Sequence, residues 1–240
     1  VPPEAVVNTS VAPYNVVPEI DDTVACVIVE AVAANMGVVA PAPGFLEGLR
    51  AACDKVGALL VFDEVITGFR LGVDGAQGRF NVKPDLTCFG KVIGGGLPIG
   101  AVGGRRDVME NLTPIGKVFH AGTLAGNPMA TAAGLAALSE LTPDVYTELE
   151  SRATRLASLI TEATSAAGLP VITSRVGTLV GIYLGDALGG SRLPINFDEA
   201  KKTDEALFAR LFHSLLNEGV AMAPGAYEAI FVGLGHTDAV

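Results

Sequence analysis

Tryptophan is absent from this 240-residue chain, and cysteine and histidine occur only three times each. Cys26, Cys53 and Cys88 are odd in number and form no CxxC pair, which argues against a disulfide framework or a cysteine metal centre. Each lies in an apolar or amphipathic stretch, so three buried free thiols are expected. His120, His213 and His236 lack any local metal-ligand spacing, and no metal is expected. Basic residues are scarce too: 16 Lys and Arg face 26 Asp and Glu, for a formal net charge of −10. No basic run interrupts that balance, so neither a nucleic-acid backbone nor an anionic membrane is an expected partner. The acidity fits a cytoplasmic protein that repels its own copies. Long apolar runs are missing as well, because Gly, Pro or charge breaks each one before it could span a bilayer. The chain opens Val-Pro-Pro-Glu with no Met, basic n-region or apolar h-region, which leads to the expectation of a fragment or a processed product.

What is present suits a folded core. Half of the residues are hydrophobic and 18% are charged, in a chain long enough for one large domain or two modest ones. Val24–Val29 is a β-branched run expected as a strand buried on both faces. Phe45–Val56 has helical spacing and is stopped by Gly57; Ala58–Phe62 follows as a second buried strand. Strand, helix and strand with short joints predict a βαβ unit and a parallel sheet, hence an α/β fold. Leu86–Phe89 and Ile99–Val102 are further expected strands. Asn127-Pro128 opens a helix running to Leu141, and Thr142-Pro143 opens another that Gly168 ends. The second helix carries the expected boundary between a domain of residues 1–142 and one of residues 143–240. Beyond it, Val171–Thr173, Leu179–Leu184 and Val220–Ala223 are expected strands, Gly189-Gly190 a loop, and Asp198–Asn217 an amphipathic helix.

Ligands of open parallel sheets sit at the carboxyl ends of the strands. Glu30, the pair Asp63-Glu64, and Lys91 fall there. One carboxylate at such a place is adequately explained as a cap, but three ionisable groups at one edge call for chemistry. Lys91 stands in Phe-Gly-Lys-Val-Ile-Gly-Gly-Gly, among apolar and glycine residues. Enclosure there would favour the neutral, nucleophilic amine. Two phosphate-loop readings compete here, and both are weak. Val92 stands where a Walker loop needs Ser or Thr, and no helix follows Gly94–Gly100 to make a dinucleotide turn.

Four stretches in order, Val-Phe-Asp-Glu-Val-Ile-Thr-Gly-Phe-Arg (61–70), Pro-Asp-Leu-Thr-Cys-Phe-Gly-Lys (84–91), Gly-Gly-Gly-Leu-Pro-Ile-Gly-Ala (94–101) and Ala-Gly-Thr-Leu-Ala-Gly-Asn-Pro (121–128), resemble the core of class III aminotransferases. Ile-Val-Glu-Ala-Val-Ala-Ala-Asn-Met (28–36) and Ala-Pro-Gly-Ala-Tyr-Glu-Ala (223–229) are most similar to the glutamate-1-semialdehyde 2,1-aminomutases within that class. The resemblance covers essentially the whole chain. It implies the pyridoxal-phosphate transferase fold of type I, aspartate-aminotransferase-like. Residues 1–142 would be the C-terminal half of the large cofactor-binding domain, and residues 143–240 a small α/β domain.

The resemblance also implies roles. Lys91 would carry pyridoxal 5′-phosphate and later shuttle protons, and Asp63 would keep the pyridine nitrogen protonated. Val65 would pack on the ring face and Asn35 would hydrogen-bond the ring hydroxyl. Thr123, with the backbone of Gly122, would reach the phosphate of a partner subunit's cofactor, which implies a homodimer. Glu228 replaces the arginine with which many class III transaminases hold a substrate carboxylate; no Arg follows Arg210. That favours the aminomutase, whose carboxylate anchor lies elsewhere, and a small-molecule substrate, glutamate-1-semialdehyde. From residue types alone, Val65 also fits core packing, Thr123 a turn and Glu228 a surface position.

The chain departs from the family at Ala31 and Ala34, where Pro and Gly are usual, and at His120, where Gln is frequent. By the same resemblance, the phosphate-binding turn, the ring-stacking aromatic, the gating loop and the substrate carboxylate site precede Val1. Two rival readings stand beside the aminomutase. One is a transaminase with separate amino donor and acceptor. The other is an inactive piece that serves only in cofactor binding or dimerisation.

Overall fold

Seven strands and seven α-helical segments form among the residues described, 1–185 and 192–237 of the computed structural model. Strands β1 (Cys26–Val29), β2 (Leu59–Glu64), β3 (Leu86–Phe89) and β4 (Ala101–Gly104) make one sheet in that order. β1, β2 and β3 run parallel, and β4 returns antiparallel to β3. A second sheet has the order β5 (Val171–Val176), β6 (Leu179–Leu184), β7 (Ile230–Phe231), all antiparallel.

The predicted βαβ unit forms. Helix α1 (Phe45–Val56) buries Phe45, Leu46, Leu49 and Cys53, three and four residues apart, on one face. Gly57, in the left-handed region, ends it by donating its N–H to the Cys53 carbonyl. In β2, Leu60 and Phe62 are wholly buried, each contributing roughly 1.5–3 kcal/mol of hydrophobic stabilisation. Val176, Leu179 and Ala229 join Phe62 and Leu60 in the same core, so the second sheet packs onto the first.

Several expectations are corrected. Among the described residues β1 stands at the end of its sheet, and it is not buried on both faces: Val27 and Val29 are half-buried and Ile28 is 63% exposed. Cys26 is accordingly exposed, whereas Cys53 is buried and Cys88 half-buried. A continuous β-branched run has the same composition whether one or both of its faces are covered. β4 begins at Ala101 rather than Ile99, because the chain spends the residues after Gly94 on reversing direction before it can pair antiparallel.

The helix expected over Asp198–Asn217 is two: α6 (Phe197–Ala200) and α7 (Glu205–Asn217). Between them Thr203 Oγ1 accepts from Leu184 N at 2.8 Å, and Asp204 caps α7 by accepting from Leu207 N at 2.8 Å. Asp204 bonds the backbone of its own helix and Thr203 that of strand β6, and together they break the run. Val220–Ala223 forms no strand; Met222 packs into the small apolar cluster with Phe208, and Ile230–Phe231 takes the edge of β6. The loop expected at Gly189-Gly190 lies outside the described residues.

The remaining helices are α2 (Gly75–Phe80), α3 (Arg106–Met109), α4 (Pro128–Ser139) and α5 (Pro143–Ala166). The predicted caps form: Asn127 accepts from Met129 N and Ala130 N, and Thr142 accepts from Val145 N. Among the described residues no helix is long and apolar enough to cross a membrane.

Candidate active site

The parallel register places the ionisable groups together. Val29 pairs with Phe62, so Glu30 and Asp63 leave the sheet side by side, and Asp63 in turn pairs with Cys88 on β3. Lys91 follows two residues after the end of β3, in the 3₁₀ turn Lys91–Gly94. Burial pushes the Glu30 carboxyl up from its ordinary value. Hydrogen bonding from Ala34 opposes that shift, Asp63 adds to it, and Asn35 and Lys91 oppose it. Glu30 thus feels both of the other groups at this edge.

Asp63 is half-buried and accepts the Val65 backbone N–H at Oδ1, 3.0 Å away. Val65 folds back from that turn: a side chain at Gly90 would come within 3.2 Å of its Cγ1. The strand end therefore presents a carboxylate and, two residues on, an apolar branched side chain against the approach to Lys91.

Lys91 is exposed, which corrects the expected enclosure. Glycines screen nothing, and Val92 and Ile93 are themselves only half-buried. Its backbone sits in the left-handed region at φ +48°, costly for a residue with a Cβ and tolerated where the surroundings hold it. The holding contact is with α4. A Cβ on Gly95 would lie 2.3 Å from the Ala133 carbonyl oxygen, and one on Gly134 would lie 1.9 Å from that of Ile93. Backbone meets backbone there, and glycine at both positions permits it.

Asn35 lies in the short 3₁₀ turn Ala34–Met36 that follows β1, exposed on a rigid base. Ala33 and Val39 exchange backbone hydrogen bonds at 3.1 and 2.9 Å beneath it. Ala31, Val32, Ala33 and Ala34 are all buried. The second sheet braces the turn, since Ser174 Oγ donates to the Gly37 carbonyl and the Tyr183 hydroxyl to that of Met36, both at 3.1 Å. Asn35 Nδ2 donates to Glu30 Oε1 at 3.4 Å, and Ala34 N to Glu30 Oε2 at 3.2 Å. Sequence reasoning missed this link. Its signal was the five-residue spacing from a strand-end acid to the asparagine.

Glu64, Thr67 and Arg70 had no assigned role. Glu64 is 1% exposed and accepts from Ala76 N at 2.7 Å, Thr67 Oγ1 and Gln77 Nε2 at 3.1 Å, and Gln77 N at 3.3 Å. It ties the segment after Asp63 to the start of α2. Arg70 Nη2 donates to the Val232 carbonyl, and its guanidinium stacks on Phe231 at 5.3 Å, which binds the same segment to β7. Burial lowers its pKa.

The other predicted residues lie on separate elements. Gly122 and Thr123 are exposed in a tight turn before α4, where Ala125 N donates to the Gly122 carbonyl at 2.9 Å. Glu228 is exposed in the turn before β7, its Cγ 3.4 Å from where a Gly225 side chain would start.

A primary amine, a carboxylate and a carboxamide thus rise from three neighbouring strand ends, with Val65 between the first two. That donor set suits an aromatic cofactor carrying an aldehyde, a basic ring nitrogen and a ring hydroxyl: the amine for the first, the carboxylate for the second, the carboxamide for the third.

Comparison with known proteins gives the chain its relatives. The chain is 47% identical, over 99% of its length, to a glutamate-1-semialdehyde 2,1-aminomutase of Desulfosudis oleivorans, and covers 56% of that protein. It is 50% identical over 98% of its length to the enzyme of the same name from Syntrophobacter fumaroxidans, covering 55% of it. The chain therefore spans just over half the length of the curated relatives it matches. Among solved structures, a β-phenylalanine aminotransferase from Variovorax paradoxus matches with a TM-score of 0.81 at 34% identity, over 90% of this chain and 49% of that one. A glutamate-1-semialdehyde aminomutase from Pseudomonas aeruginosa, in complex with PMP, matches with a TM-score of 0.75 at 29% identity, over 88% and 48%. The family model for class-III aminotransferases matches residues 5–228, and the chain belongs to that family.

Proposed function

We propose that the protein containing this chain is a pyridoxal-phosphate aminomutase that converts glutamate-1-semialdehyde to 5-aminolevulinate, a step of tetrapyrrole synthesis. The observation that carries the proposal is the convergence of Glu30, Asn35, Asp63 and Lys91 on one edge of the parallel strands, in a chain about half identical to relatives bearing that name. Residues 1–142 are then the C-terminal half of the large domain and residues 143–240 the small domain, in a cytoplasmic homodimer.

Bound at this edge, pyridoxal phosphate supplies an electron sink for the carbon that loses its proton. Lys91 would hold the cofactor through its Nζ amine and would move protons between the two carbons that exchange the amino group. Asp63 holds a proton on the ring nitrogen, which keeps the ring electron-poor. Val65 packs on the ring face, and Asn35 donates to the ring hydroxyl oxygen. Gly122 and Thr123 serve the phosphate of the partner subunit. The net reaction is an isomerisation in which the nitrogen on C2 and the aldehyde oxygen on C1 change places, so no second substrate is required. Glu228, where a carboxylate-binding arginine would otherwise stand, would repel a substrate carboxylate and leave its anchoring to another part of the protein.

A transaminase with separate donor and acceptor is the competing reading, favoured by the TM-score of 0.81 to the β-phenylalanine aminotransferase. Incubating the cofactor-loaded protein with glutamate-1-semialdehyde, and with no amino acid or oxo acid added, separates the two. Formation of 5-aminolevulinate supports the aminomutase. Product that appears only after a 2-oxo acid or amino donor is supplied assigns the transaminase.

A further inference from the structure

We propose that Glu30 is a positioning residue of the cofactor site, holding the Asn35 carboxamide in one orientation beside Asp63 and Lys91; this rests on the cofactor reading above. The main chain around Asn35 is held from below by the Ala33–Val39 pair and from the side by Tyr183 and Ser174. The exposed side chain is what remains free to turn. A carboxamide has two chemically different ends, and free rotation would present donor and acceptor alternately.

An ionised carboxylate is acceptor-only, so Glu30 takes the NH₂ end of Asn35 and rejects the oxygen. Its two oxygens are divided between two donors, Ala34 N at Oε2 and Asn35 Nδ2 at Oε1. The backbone bond fixes the carboxylate, and the carboxylate fixes the amide. One N–H is used, and the second is left to donate to an electron-rich oxygen on a ligand seated at this edge. Glu30 touches no ligand in this scheme and acts through Asn35. A glutamine at position 30 turns one of the two accepting oxygens into an NH₂ donor, so either Ala34 N or Asn35 Nδ2 then faces a donor instead of an acceptor. An aspartate keeps the charge but retracts it by one methylene.

The test measures the dissociation constant of pyridoxal phosphate by equilibrium dialysis, together with the visible band of the bound cofactor. The variants are Glu30→Gln, Glu30→Asp, Asn35→Ala and the double variant Glu30→Gln/Asn35→Ala, with Lys91→Ala measured alongside as the control for the cofactor reading, in the protein that contains this chain. Each single variant of Glu30 or Asn35 is expected to weaken binding about tenfold and shift the band, the size expected for one lost hydrogen bond to a charged or strongly polar group. The double variant is expected to bind no more weakly than Asn35→Ala, because the two residues act as one unit. If Glu30→Gln does not fold, Glu30→Asp carries the comparison. Native affinity in both Glu30 variants with weakened binding in Asn35→Ala overturns the role of Glu30 and leaves the cofactor reading in place. Additive losses in the double variant, or native affinity in Glu30→Asp alone, show that Glu30 acts by charge and also overturn it. Unchanged binding in every variant and in Lys91→Ala overturns the cofactor reading itself, and the proposal with it.

Discussion

The Tyr183 hydroxyl donates to the Met36 carbonyl at 3.1 Å, joining residues 147 positions apart. Tyr183 is 1% exposed, and burial pushes its phenol pKa up, so the group stays a neutral donor at any ordinary pH. Its ring lies against Gly37, whose φ is +88°, and a Cβ there would stand 2.7 Å from Tyr183 Cε1. The second sheet therefore reaches across to set the turn that carries Asn35.

Tyr183→Phe should lower stability by about 1–2 kcal/mol, because the ring still packs while the half-buried Met36 carbonyl loses its donor. Gly37→Ala should cost more, since it adds backbone strain to a clash. Urea unfolding of both variants checks the order. Equal or reversed losses would mean that the turn is set by the first sheet alone.

Lys91→Ala should abolish the pyridoxyl adduct that borohydride reduction leaves on the cofactor-loaded protein. Peptide mapping of the native protein should place the adduct on Lys91. An adduct on Lys55, Lys83 or Lys117 would refute the assignment.

Asp63→Asn preserves shape and removes charge. Cofactor should still bind, while turnover falls by roughly a hundredfold or more, as for the loss of an electrostatic stabiliser. Near-normal turnover would reduce Asp63 to a cap for Val65.

Acid stability should depend on Asp85. Burial pushes its carboxyl up, but hydrogen bonds from Arg105 at 2.8 Å, Leu60 N at 2.7 Å and Arg50 at 2.7 Å outweigh that and hold it below the usual carboxylate value. A depressed folded pKa gives stability that is fully present above the unfolded value of about 3.9 and is lost as pH falls through the folded one. Asp85→Ala should cost about 3 kcal/mol at neutral pH, the low end for a broken buried ion pair, because both arginines reach solvent. Unfolding free energies measured from neutral pH down to about 3 should slope less in the variant than in the native chain. Equal slopes would assign the acid limb to other carboxylates.

The local elements were legible in the sequence where short-range chemistry decides them. Phe45–Val56 was predicted to the residue because an apolar stripe and a terminal glycine need no distant partner. The same holds for Leu86–Phe89, Leu179–Leu184 and the caps at Asn127 and Thr142. Glu30, Asp63 and Lys91 were placed at one edge because a βαβ connection forces parallel strands, whose ends face one way. Residue chemistry, through Asp63, Lys91 and their flanking motifs, carried the family. Tertiary structure alone decided the rest. Burial is a property of neighbours, so only packing could show β1 as partly exposed, Cys26 and Lys91 as exposed, and Glu64 as enclosed. Ile230–Phe231 rather than Val220–Ala223 pairs with β6 because strand pairing is settled by a partner some fifty residues away in sequence. The turn that carries Asn35 likewise depends on Tyr183 and Ser174, groups that no local pattern around the asparagine brings together.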